Sequence, residues 1–503
     1  MKRFLFVACV SLAAAAVAQE SEVELLKRQL QQMQENFERV QREQREQIEA
    51  LSQRLNSLTN QASASAASVA ASSLSEAEPA WNAADPVRIG NGGKSFVDLS
   101  LIATFAAGTS TAEDIQGGTQ LGGHDPAQRG FTVQGVELNL QGAVDPYFGG
   151  NASILFSIDA EGESFVELEE AWLETVSLPG NLQVRAGQLL SEFGRHNTQH
   201  PHSWAFVDSP LASARFLGAD GLRNPGARIS WLAPTPFYSE LSLGIQNSHG
   251  ETAASFRSSG HSHGDDEHEA LPLGFRHPDN DRGVKAIDDL LFTPRYALSF
   301  DLSEAQTLLF GLSGAFGPNS SGAGGDTRTA IGGADVYWKW KPARAQAGFP
   351  FVSFQAEAMV RRYELGAFNW DENENDAADE GEVTNPGGLP ASLRRESVTD
   401  WGFYSQVLYG FRKGWVGGVR WDYVTGERGD YEQAGLSFNG APLGRDPMRD
   451  QRWRLSPNLT WYPTEFSKLR LQYNYDDRRN IGVDHSLWLQ FEFLLGAHGA
   501  HPF

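Results

Sequence analysis

The chain has 503 residues, 40% of them hydrophobic and 21% charged, with a formal net charge of -22 at neutral pH. An acidic balance of this size argues against nucleic acid as a partner and for solvated acidic loops. The single cysteine, Cys9, lies in an amino-terminal apolar run, so the rest of the chain has neither disulfides nor a cysteine metal site.

Lys2 and Arg3 precede the apolar run Phe4 to Val17 and the small-residue pattern Ala16-Val17-Ala18, the layout of a cleavable secretory signal over residues 1–18. Its removal takes two positive charges and moves the formal charge from -22 to -24. Residues 21–60 follow with apolar positions at Val23, Leu26, Leu30, Met33, Phe37 and Val40, then at Ile48, Leu51, Leu55 and Leu58 after Gln44. Steps of three and four are the seam of an α-helical coiled coil. So narrow a seam favours self-association, and the alternative is a stalk docking on a periplasmic or cell-wall partner. Residues 61–94, rich in Ala and Ser, read as a linker.

No later stretch approaches the ~18 unbroken apolar residues of a membrane helix, which leaves a closed barrel as the only membrane-spanning structure. From Ser95 the pattern changes to period two. Sixteen runs begin near Phe96, Phe131, Asn151, Phe165, Leu182, Ala227, Glu240, Leu291, Gln306, Ala330, Val352, Val398, Trp415, Gln451, Lys468 and His485. Tight connections such as Asp145-Pro146-Tyr147 and Arg412-Lys413-Gly414 alternate with mostly long ones, Glu161-Gly162-Glu163 being the exception. The expected fold is all-β: a transmembrane barrel of about sixteen antiparallel strands over 95–503, preceded by the coiled coil, in the lipid of a bacterial outer membrane. Leu487, Leu489, Phe491 and Phe493 share one face of the last run, and Trp488, Gln490 and Glu492 the other. Burying Arg452 and Arg454 together in a dry core would be costly, whereas a watery lumen accommodates them.

The third connection on the loop side, Ser191 to Arg223, is expected to fold into the lumen. Glu192, Arg195, His196, Asp208, Arg215, Asp220 and Arg223 are its constriction candidates. Arg420, Arg452, Arg454, Lys468 and Arg470, with Lys339 and Arg361, give a basic wall, and Glu137, Glu167 and Glu169 an acidic one. Mixed walls imply weak selectivity among small ions and hydrophilic solutes that pass by diffusion.

The run GFTVQGVELNLQGAVDPYFGGNASILFSID, followed by LQVRAGQLLSEFGRHN, resembles the early strands of the phosphate-selective porin O/P family. The order of coiled coil, linker and sixteen strands is similar to some of its relatives. That resemblance implies homotrimers with an inwardly folded third loop, and a constriction lined by lysines in the phosphate-specific members. This chain departs from it, with no lysine between Ser95 and Val284.

Gly260 to Glu269 reads GHSHGDDEHE, and imidazoles beside carboxylates bind zinc or copper. His261, His263, Asp265, Asp266 and His268, with His200 and His202 of the pore loop, are the metal candidates, zinc being the one cofactor considered. The alternatives to a general porin are therefore a divalent-metal (zinc) uptake channel and a structural tether acting through the coiled coil. No enzyme is expected, since Ser203, His202 and Asp208 crowd into one loop, an unusual geometry for a triad.

Overall fold

Period-two alternation builds sixteen long strands: β1 (Phe96–Ser110), β2 (Gly130–Ala143), β3 (Phe148–Ile158), β4 (Ser164–Thr175), β5 (Leu182–Leu190), β6 (Arg223–Leu232), β7 (Tyr238–Asn247), β8 (Leu290–Ser303), β9 (Gln306–Pro318), β10 (Arg328–Trp340), β11 (Phe351–Leu365), β12 (Glu396–Arg412), β13 (Trp415–Gly426), β14 (Arg452–Thr464), β15 (Ser467–Arg478) and β16 (Gly482–Leu495). The computed structural model describes residues 87–89, 95–143, 145–258, 271–278, 283–323, 325–345, 347–371 and 373–496. The expected signal, the coiled coil, the tract at 260–269 with its metal candidates, and the tail carrying His498, His501 and Phe503 lie outside the described residues.

Each strand pairs antiparallel with the next, and β16 returns to β1 in register from Leu101↔Leu495 to Ser110↔Ser486. Closure leaves the barrel without a free edge. Strand β6 starts at Arg223 rather than near Ala227, because Asn224 and Pro225 already pair with Leu189 and Gln188. A proline inside a strand hides its start from a propensity reading. Val87–Ile89, within the stretch read as linker, adds a short strand on Val97–Leu99, and Arg88 clasps Asp98 at 2.7 Å.

Most long connections gather at one end, where 159–163 and 479–481 are short exceptions. Between β12 and β13 the hairpin closes through Lys413 and Gly414, whose φ of 77° needs a residue without a Cβ. At the opposite end the connections over 248–289, 366–395 and 427–451 share an apolar cluster of their own, with Phe275, Leu365, Trp370, Val398 and Tyr431 buried together.

Outward side chains form an apolar band with aromatic rims. Trp415 stacks on Trp461 at 5.8 Å at the short-turn end, and Trp453 meets Tyr475 at 5.0 Å near the other. Trp453 and Trp461 are roughly 26 Å apart along β14 at about 3.3 Å per residue, which a tilt of about 40° shortens to ~20 Å, near the ~25 Å apolar band of outer-membrane barrels. Leu455, Leu459, Leu471, Leu487 and Leu489 are exposed within it. Their inward neighbours Arg454, Asn458, Arg470, Ser486 and Gln490 are buried. Trp488 is the large inward exception, fully buried against Ile115 and Val207. It ties two long connections to the closing strand. Truncation of Trp488 to Ala should cost about 3–5 kcal/mol of folding free energy, read as a lower urea midpoint for the refolded barrel with the slope unchanged.

Candidate functional site

Residues 191–222 leave β5 and return to its neighbour β6, yet they bond to the far wall. The backbone N–H groups of Arg195 and His196 donate to Oε1 of Glu357 on β11 at 3.0 and 2.7 Å, and that of Leu211 to Asp422 on β13 at 3.1 Å. Asn458 of β14 donates to the Ala205 carbonyl at 2.8 Å, while Lys468 and Arg470 of β15 donate to those of His202 and Trp204 at 2.6 and 2.9 Å. The loop therefore crosses the barrel interior. Its short helix α1 (Leu211–Leu217) sets Phe216 and Leu217 in an apolar cluster with Phe193, Phe256, Ile331 and Met359.

The loop is pinned at Asp208, which is fully buried. Its carboxylate accepts from Arg420 at 2.7 Å, Arg454 at 3.0 Å, Gln472 at 2.9 Å and Asn474 at 2.8 Å. Arg420 also reaches Asp422 at 2.8 Å, and Arg452 and Arg454 both bind Asp476, at 2.6 and 2.7 Å. Lys468 pairs with Glu492 at 2.8 Å and Arg361 with Asp400 at 2.6 Å. Nearly the whole basic column is thus committed to carboxylates. Arg470 has Thr460, Gln490 and a loop carbonyl instead.

The acidic wall is shaped by two β-bulges. Thr104 pairs with Gly135 but Phe105 with Val133, so Gln134 is extra, and the shift in parity lets both Gln134 and Glu137 face inward. Ser153 pairs with Glu170 but Ile154 with Leu168, so Glu169 is extra, and both Glu169 and Glu170 turn inward. His200 fits between them: Nδ1 lies 3.1 Å from Glu169 and Nε2 3.1 Å from Glu170. His202 Nδ1 is 2.7 Å from Glu137. Burial opposes a charge on His200, but Glu137 and Glu169 outweigh it and raise its imidazole well above the ordinary value. His196, packed on Trp204, is pushed down to about 3 by burial and by the Arg420 charge.

The other expected constriction residues scatter. Arg223 is buried on Glu167, and Glu192 pairs with Arg228. Arg195 lies over the Tyr337 ring at 4.1 Å, and Arg215 donates to the Asp450 carbonyl at 2.7 Å. Asp220 faces His124 at 3.4 Å, and Lys339 stays partly exposed on β10. The gap expected between a basic and an acidic wall is filled at this depth by the loop itself. Both walls bond to it, because desolvated charges need partners that water no longer supplies. Asp422, Gln472, Asn474 and Asp476 share strand parity with recognised basic residues and were legible by alternation. Glu170 was not, since a bulge breaks the period.

Burial opposes ionisation of Asp208, but Arg420 and Arg454 outweigh it and hold the carboxyl below its ordinary value. The contribution is present above that ordinary value, about pH 3.9, and is lost as pH falls through the lower folded value. Changing Asp208 to Asn should cost about 3–5 kcal/mol by leaving two guanidinium groups without their shared counter-charge. Amide exchange over 196–211 should rise in this variant at neutral pH, and in the unaltered protein only in acid.

No family model matches the chain. Among solved structures it is similar to the outer membrane channel DcaP of Acinetobacter baumannii, with TM-score 0.48 and 11% identity over 82% of this chain and 100% of that one. The anion-selective porin from Comamonas acidovorans gives TM-score 0.44 and 9% identity over 80% of this chain and 100% of that one. In sequence, an uncharacterized protein of Aquifex aeolicus (strain VF5) is 32% identical over 402 residues, 76% of this chain and 73% of the relative. At that identity and coverage, the chain belongs to one family with the Aquifex aeolicus protein.

Proposed function

We propose that this protein is an outer-membrane channel that passes small hydrophilic solutes and ions by diffusion, with its aperture set by residues 191–222. The observation that carries the reading is the sorting of the sixteen strands: apolar and aromatic-rimmed outside, charged and hydrogen-bonded inside, with one loop drawn across the lumen. In water an outward band of Leu, Phe and Trp would drive aggregation, whereas lipid accommodates it. Phe96 and Leu495 both sit at the short-turn end, which supports a periplasmic position for that end and an outward one for the long loops.

Selectivity follows from the pairing of charges. With Arg420, Arg452 and Arg454 neutralised by Asp208, Asp422 and Asp476, the basic column has little left for phosphate. Weak selectivity between small ions is the expectation, and assembly as a homotrimer belongs to the same proposal. Arg195, over the Tyr337 ring, remains partly exposed in the loop and is a cation that passing solutes would meet.

Reconstituted in a planar bilayer, the protein should give steady unit conductance with a small reversal potential across a salt gradient. Arg195→Glu should move that potential toward cation selectivity. Absence of channels from heat-modifiable, folded protein would overturn the reading. Leu489→Arg, at the middle of the outward band, should cost about 2–4 kcal/mol in refolding into phospholipid vesicles; no cost would show that the outer face does not meet lipid.

A further inference from the structure

The His200 cluster has the spacing of a metal site. Nδ1 of His200 lies 3.1 Å from Oε2 of Glu169 and 3.6 Å from Oε1 of Glu137, and one donor atom from each of the three falls within 4.8 Å of the others. Donors on a tetrahedral zinc ion with bonds of about 2.0–2.1 Å are about 3.3 Å apart, so the two measured separations bracket that edge. The surroundings match what orients metal ligands. Nε2 of His200 is held by Glu170 at 3.1 Å, and the second oxygen of Glu137 by His202 at 2.7 Å. A carboxylate on the far nitrogen of a ligating imidazole is the usual partner fixing its ring.

A separate observation points to a ligand. Glu169 and His200 border a cavity of about 30 Å³ that His124 and Asp220 also line, room enough for an ion with a bound water. Nδ1 of His124, on a side chain 6% exposed, has no hydrogen-bond partner among the described residues, although its Nε2 faces Asp220. His124, Glu167 and Asp220 form a second group of closely spaced donors beside the first. The wall and the loops thus offer two imidazoles and four carboxylates in two adjoining groups, of which His124, Glu169, His200 and Asp220 line the cavity.

We propose that Glu137, Glu169 and His200 bind one divalent transition-metal ion of the zinc class inside the barrel, tying residues 191–222 to strands β2 and β4. Mixed imidazole and carboxylate donors suit zinc over magnesium or calcium, which take oxygen alone. The assignment does not depend on conduction, and it concerns other residues than the tract at 260–269.

The test uses the full mature chain, refolded and stripped with chelator, in a background with His261, His263, His268, His498 and His501 changed to Ala. Titration calorimetry with zinc should give one site per chain. Glu169→Gln and His200→Ala, checked for heat-modifiable folding, should each weaken binding at least tenfold; a smaller effect in both overturns the assignment. Should neither variant fold, X-ray absorption of the zinc-loaded background protein decides. A shell of nitrogen and oxygen at about 2.0–2.1 Å with imidazole scattering supports the site, whereas no bound zinc, or an oxygen shell without imidazole, overturns it.

Discussion

Four donors converge on the carboxylate of Asp208, and the interior of this barrel is arranged around that meeting. A wide barrel built on alternation places a column of guanidinium groups on one wall, and burial of such groups is tolerable only where counter-charges are supplied. Asp422 and Asp476 supply two from the wall itself, and Asp208 supplies the third from the loop. The loop lies across the lumen because its carboxylate completes a set of charges that the strands leave unbalanced.

The opposite wall works by the reverse logic. There the strands carry the carboxylates Glu137, Glu169 and Glu170, and the loop brings the imidazoles of His200 and His202. An acidic wall met by loop imidazoles, and a basic wall met by a loop carboxylate, hold one segment from both sides. The apolar side of α1 covers the remaining flank with Phe216 and Leu217. Such a segment is positioned by the whole circumference rather than by its own turns, which is how a long loop sets an aperture reproducibly.

Alternation made the strands readable. Each of the sixteen runs becomes a strand, since a residue facing lipid and a residue facing the lumen must differ in kind at every step. Where the period slips, so does the reading: the pairing of both Glu169 and Glu170 with His200 comes from one bulge, and the inward turn of Glu137 depends on another at Gln134. Pro225 concealed the start of β6 for a related reason, because a residue unfavourable in most strands is carried here by its neighbours on β5.

What the sequence by itself determined was local and periodic: the number of strands, which face a residue takes wherever no bulge intervenes, the gathering of most long loops at one end, and the identity of the long loop richest in charge. These follow from residue type and spacing within one strand, so no distant partner is needed to read them. The tertiary structure alone decided what the inward charges meet. Asp208 lies more than two hundred positions from Arg420 and Arg454, and His200 about thirty from Glu169 and Glu170. Closure of the barrel brings these groups within hydrogen-bond reach, and the energy of excluding water from them then selects their partners.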